Sequence, residues 1–252
     1  MPAKNYKCTV TKKKWIAPTV FILRFKTKKL FMFDAGQFLS VNVPVSQLNK
    51  ETVKRAYSFA TSFDEVKEKK EYELCIRLVE DGAGSTFMSK LSEGDEFSVS
   101  APYGDFVFHP RTSDRFACFI STGTGIAPLR AMVASKAFSE GPPKSTLCLF
   151  GASAQTDIIY QKFFESHQIK MTCALSKPGS DWTGFKGRVT DYLATLPVDW
   201  PWHKTDYYLC GNGRMIHDVK NILCNGHGIS EENIFSEAYF DSSASVQIKI
   251  AA

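Results

Sequence analysis

Apolar and polar positions along this chain follow two different rhythms. From Tyr6 to about Pro110 the apolar stretches are short, alternating and repeatedly interrupted. Cys8–Val10, Thr19–Phe25, Phe38–Val43, Tyr57–Thr61, Tyr72–Val79 and Glu96–Val99 each read as a strand. Turn signals separate them at Asp34-Ala-Gly36, Glu93-Gly-Asp95 and Pro102-Tyr-Gly104. The longest helix predicted in this half is Ser85–Leu91, so the pattern describes a six-stranded antiparallel β-barrel.

From about Arg111 strands and helices alternate. Phe116–Ile120 leads to a helix starting near Ile126, and Thr146–Phe150 to one near Asp157–Ser166. Lys170–Leu175 precedes a helix near Val189–Leu196, Asp206–Cys210 precedes one near Met215–Asn225, and Asn233–Ala238 closes the series. Such alternation is the mark of a parallel sheet with helices on both faces, here five-stranded. The pattern is broken by His109-Pro110, which places the boundary within Phe108–Ser113 and gives domains 1–110 and 111–252.

Composition narrows the function classes. A net charge of +5 is mild, and no basic block with interleaved aromatics occurs, which argues against nucleic-acid binding. Lysines cluster at Lys12–Lys14, Lys26–Lys29 and Lys67–Lys70; on one face they would suit an acidic protein partner. The 7 cysteines include no Cys-x-x-Cys and no close cluster able to hold iron and sulfur, so no metal site is expected. They read as buried thiols of a reducing compartment. Met1–Lys14 is polar and lysine-rich rather than a secretory signal, and no apolar run is long enough to span a bilayer. These features together describe a cytosolic chain.

The chemistry is concentrated where strands end in glycine. Phe116–Ile120, then Gly123-Thr-Gly125, then apolar residues at helical spacing (Ile126, Leu129, Met132, Val133) make a strand, a turn and a helix start. Glycines let the backbone approach an anion, and the helix amides and dipole face it. Pro128 falls in the first turn, where a missing N–H costs nothing. A second helix-start anion site is predicted at Asp81-Gly-Ala-Gly84-Ser85-Thr86. Two phosphate cradles, one in a barrel and one in an α/β domain, point to two nucleotides in one cleft. Upstream of both lies Lys54-Arg55-Ala56-Tyr57-Ser58, which taken alone reads more readily as a half-exposed strand face.

Together these stretches resemble the ferredoxin–NADP(H) reductase superfamily of flavoproteins over nearly the whole chain. The resemblance implies that 1–110 binds FAD and 111–252 binds NADP(H). Arg55-Ala56-Tyr57-Ser58 is similar to the family's Arg-x-Tyr-Ser motif. By that likeness Arg55 pairs with the flavin pyrophosphate, Tyr57 stacks on the isoalloxazine and Ser58 hydrogen-bonds near N5. Leu78 and Val79 match the strand backbone along the flavin, and Gly84, Ser85 and Thr86 match the amides on the pyrophosphate. Gly123, Gly125 and Pro128 resemble the nicotinamide-nucleotide loop, with Thr124 beside the flavin ring. Cys210 and Gly211 resemble the family's Cys-Gly motif near the nicotinamide; a packed strand-end thiol is the equal alternative for Cys210, and its assigned role is positioning. Ser236-Glu237-Ala-Tyr239-Phe240 resembles the closing segment, with Glu237 as the nearby carboxylate and Tyr239 (or Phe240) as the aromatic lid. The tail Asp241–Ala252, which extends past that lid, departs from the pattern.

For the nicotinamide nucleotide, the second strand of the α/β half ends Phe150-Gly-Ala-Ser153 without the acid that pairs with an NAD ribose. Ser153, Lys177 and Arg188 are compatible with a 2′-phosphate, although the two cations read singly as ordinary surface charges. The resulting expectation is an FAD-dependent NADPH reductase with Ser58, Cys210 and Glu237 at the reacting centre. Ferredoxin or flavodoxin is the implied acceptor. The alternatives are an NADH-dependent oxygenase-component or free-flavin reductase, and a non-catalytic nucleotide-binding module on the same scaffold.

Overall fold

The computed structural model describes residues 2–44 and 52–239. Its first half contains β1 (Lys4–Ala17), β2 (Val20–Thr27), β3 (Phe38–Pro44), β4 (Thr52–Ser58), α1 (Phe63–Lys69), β5 (Tyr72–Arg77), α2 (Ala83–Lys90) and β6 (Glu96–Tyr103). The strands form one sheet in the order β4-β3-β6-β1-β2-β5, every pairing antiparallel. A bridge between Phe59 and Leu74 joins the two ends and closes the barrel. Its core is aromatic-rich: Phe33 stacks on Phe59 at 3.9 Å between centroids, and Phe31 on Tyr72 at 4.5 Å.

The second half contains β7 (Phe116–Thr122), α3 (Ile126–Val133), α4 (Lys136–Glu140), β8 (Thr146–Ala152), α5 (Gln161–Ser166) and β9 (Met171–Leu175). It continues through β10 (Phe185–Lys186), α6 (Val189–Leu193), β11 (Thr205–Asn212), α7 (Gly213–Asn221) and β12 (Ile234–Tyr239). All pairings are parallel, in the order β10-β9-β8-β7-β11-β12. The strand order therefore reverses between β7 and β11, the place where open α/β sheets bind ligands at the strands' carboxyl ends. One sheet face packs on α3 and on the barrel through Val20, Ala60 and Cys75; the other packs on α6 and α7.

Several elements differ from the sequence pattern. The sheet has six strands rather than five, because a two-residue β10 adds to β9 with too little sequence to show a period. The predicted strand Tyr57–Thr61 is shifted to Thr52–Ser58, since Thr52, Lys54, Arg55 and Ala56 face solvent and carry no apolar alternation. The helix predicted over Asp157–Ser166 shortens to Gln161–Ser166. Helix α1 was not expected from periodicity, as Val66 is its one buried residue. Its signal was chemical instead: Ser62 and Glu65 form a capping box, side chain to backbone in both directions.

Candidate active site

The ends of β4, β7, β11 and β12 converge on one cleft between the halves. Ser58, the last residue of β4, donates its hydroxyl to Glu237 Oε2 at 3.0 Å and accepts from the Tyr239 hydroxyl at 2.8 Å. Glu237 sits opposite Cys210 in the β11–β12 register. Its other carboxylate oxygen, Oε1, lies against Gly104 and thus close to Phe38. Burial raises the Glu237 carboxyl to about 7, opposed by the hydrogen bond from Ser58. Burial and the neighbouring Cys210 and Glu237 push the Tyr239 phenol far up, so it stays a donor. The fully buried Cys210 thiol is raised well above its usual range by burial and then by Glu237, which removes it as a nucleophile.

Backbone contact ties the two glycine loops together. A Cβ on Gly125 would lie 2.3 Å from the Cys210 carbonyl oxygen, so only glycine allows this approach. Thr122 Oγ1 accepts from the Asn212 amide at 3.0 Å, and Asn212 Oδ1 caps α7 by accepting from the amides of Arg214 and Met215. Thr122 and Asn212 were absent from the sequence expectation; an Asn directly before an apolar helical period was their available signal. Thr124 lies in the turn Gly123–Gly125, with Pro128 inside α3, and Gly211 beside Thr122.

A cradle also forms at the start of α2. A Cβ on Gly84 would meet the Tyr57 hydroxyl at 2.6 Å and Arg55 Cγ at 2.7 Å, so the helix start rests directly on these side chains. Arg55 is exposed and donates to the Lys54 carbonyl; among the described residues it pairs with no carboxylate. Burial raises the Tyr57 phenol to about 12, with Arg55 opposing. Leu78 and Val79 follow β5, and the Val79 amide donates to Ser85 Oγ at 3.0 Å. The Thr86 amide is occupied by the Gly82 carbonyl, whereas Gly84 and Ser85, both buried, stand in the first turn, whose amides have no intrahelical acceptor. A guanidinium that pairs with no carboxylate among the described residues, beside helix-start amides and an aromatic ring, is a donor set that suits a flavin dinucleotide. The fit is good.

Models of two domains match the sequence: the oxidoreductase FAD-binding domain over residues 7–108 and the oxidoreductase NAD-binding domain over residues 119–221. The chain is 31% identical to ferredoxin–NADP reductase B of Sorangium cellulosum, across 89% of this chain and 93% of that one. This chain belongs to the ferredoxin–NADP(H) reductase superfamily. It is also 31% identical to the phenol hydroxylase P5 protein of Acinetobacter pittii, over 95% of this chain and 67% of that protein. A crystal structure of a ferredoxin NADP+ reductase from Neisseria gonorrhoeae with bound FAD and NADP shares the fold. Its TM-score is 0.82 at 18% identity, covering 95% of this chain and 100% of that one.

As a member of this superfamily the chain is an oxidoreductase with an FAD-binding and a nicotinamide-nucleotide-binding domain. Ser153 and Lys177 are neighbours at the carboxyl ends of β8 and β9, where the Lys177 amide donates to the Ser153 carbonyl at 2.8 Å. Arg188 precedes α6 at the end of β10, the next strand out. All three are exposed, and among the described residues neither cation is paired with a carboxylate. The alternative aromatic Phe240 and the tail lie outside the described residues. The lysine clusters are partly committed internally. Lys13 Nζ donates to the Ser89 and Leu91 carbonyls at 2.6 Å each, and Lys67 and Lys69 pair with Asp64 and Glu65. No helix among the described residues is long and apolar enough to cross a membrane.

Proposed function

We propose that this protein is an FAD-dependent NADPH reductase that passes electrons to a separate acceptor protein, a ferredoxin or flavodoxin. The supporting observation is the Tyr239–Ser58–Glu237 chain, which joins a flavin-motif residue of the barrel to the last strand of the α/β half. Residues 1–110 form the FAD-binding domain and 111–252 the NADP(H)-binding domain in this reading. When bound, FAD accepts hydride and releases its electrons singly, a conversion that protein side chains do not supply.

The protein's part is to bind, orient and move a proton. Arg55 and the amides of Gly84 and Ser85 hold the pyrophosphate, and Tyr57 and the backbone at Leu78 and Val79 frame the ring. Thr124, Gly125, Cys210 and Gly211 set the nicotinamide, with Cys210 acting by packing. Glu237 accepts from the Ser58 hydroxyl; protonated below about pH 7 it reverses that bond and donates to Ser58 Oγ, so that the serine hydroxyl turns toward the reacting centre and the proton it gives up there is replaced from Glu237. Tyr239 donates to Ser58 and fixes the hydroxyl's orientation. Ser153, Lys177 and Arg188 bind the 2′-phosphate.

The similarity to the phenol hydroxylase P5 protein favours a second reading, in which the acceptor is an oxygenase; NADH is the donor that this alternative pairs with it. Anaerobic turnover of the FAD-loaded protein with NADPH separates the two. Rapid reduction of ferredoxin or flavodoxin supports the first; inert ferredoxin and flavodoxin would remove them as acceptors.

A further inference from the structure

Arg130 is a buried charge in an otherwise apolar helix and belongs to neither cofactor motif. It is 9% exposed, in α3, one turn beyond the nicotinamide loop. Its Nη1 donates to the carbonyl of Ala60, just past the strand that ends in Ser58, at 2.9 Å. Nη1 and Nη2 also grip the Glu65 carboxylate in α1 as a fork, the Nη2–Oε1 bond at 2.8 Å. The guanidinium lies over the Phe163 ring at 4.2 Å from its centroid. Around it the same seam is pinned by Ser62 Oγ donating to the Ala134 carbonyl at 2.8 Å and the Lys136 amide donating to Asp64 at 2.9 Å.

Stability does not explain this arrangement. A buried ion pair is often no better than two well-packed apolar side chains, because both ions lose their hydration. Here Arg130 Nε is also left without a partner, a further cost. What a bidentate fork adds is direction: apolar surfaces slide, whereas two parallel N–H···O bonds fix distance and angle. The elements fixed are the flavin strand on one side and the helix of the nicotinamide loop on the other.

We propose that Arg130, through Glu65 and Ala60, is the positioning residue that holds the nicotinamide loop at hydride-transfer distance from the flavin strand. This rests on the reductase reading above. The test compares FAD-loaded wild type with Arg130→Lys, Glu65→Gln and the double variant Arg130→Met/Glu65→Met, which leaves no unpaired buried charge. The double variant is expected to retain FAD, to melt within about 5 °C of wild type and to bind NADPH with little change. Its flavin reduction at saturating NADPH is expected to fall roughly 10- to 100-fold, as misplaced reacting groups do, with a full deuterium isotope effect from labelled NADPH. Arg130→Lys, which keeps the charge without the fork, should be slow as well and carries the test if the double variant does not fold. A reducible wild type beside a double variant reduced equally fast would overturn the positioning role alone. A wild type that no nicotinamide reduces would overturn the parent reading and this one with it.

Discussion

Ser58 and Glu237, 179 positions apart in sequence, meet at 3.0 Å, and the carboxylate that receives the hydroxyl is raised by burial to about 7. The contact joins the two halves and places a titratable group in the cleft between them. The folded protein thus holds a proton on Glu237 that an unfolded chain, with an ordinary value of 4.5, releases. The stabilisation is complete below pH 4.5 and is lost as pH rises through about 7. Glu65 works in the opposite sense: despite burial, Arg130's hydrogen bonds and charge hold it low, so its stabilisation is lost in acid. Melting temperature measured from pH 5.5 to 8 is expected to fall in wild type and to be flatter in Glu237→Gln; equal slopes would remove Glu237 as the titrating group.

Gly125→Ala should be far more damaging than Gly213→Ala. The first Cβ meets the Cys210 carbonyl backbone at 2.3 Å, the second meets nothing nearer than 3.9 Å. Overpacking of this kind costs about 1–3 kcal/mol, and the displaced loop should also slow flavin reduction. Denaturant unfolding and stopped-flow reduction of both variants check this; equal behaviour would contradict the close approach of the two loops.

Lys13 anchors the far end of α2, the helix whose start is proposed to hold the flavin phosphates. Its ammonium reaches two carbonyls at the C-terminus of α2, where a cation also favours the helix dipole. Lys13→Met is expected to cost about 2 kcal/mol, or roughly 4–8 °C in melting temperature. The FAD dissociation constant, read by fluorescence titration, should rise; an unchanged constant would detach Lys13 from the flavin site.

Arg188→Ala should raise KM for NADPH by about tenfold or more while leaving KM for NADH nearly unchanged. Steady-state kinetics with each donor decide it, and an equal effect on both would dismiss the 2′-phosphate role.

Both glycine loops were legible because strand, glycine and helix follow one another locally, and the strand–helix alternation is equally local. The start of β4 was not, because a strand with one side in water and a charged motif on it shows no alternation. Helix α1 was hidden by having a single buried residue, although Ser62 and Glu65 announced its cap. The meeting of Ser58, Cys210 and Glu237 depends on how the two halves pack. No local pattern encodes that packing, and the family resemblance alone suggested it. Arg130 stood in plain view as the one charge in an apolar helix, yet its partners Glu65 and Ala60 belong to the other half.

The central claim is hydride transfer from a nicotinamide to a bound flavin, and the most direct test is anaerobic bleaching of the FAD-loaded protein's visible absorption. NADPH and NADH are added separately and the loss of flavin colour is followed in time. The account predicts rapid bleaching by NADPH and much slower bleaching by NADH. Faster bleaching by NADH would contradict the roles of Ser153, Lys177 and Arg188, and flavin that stays oxidised with both would contradict the reductase itself.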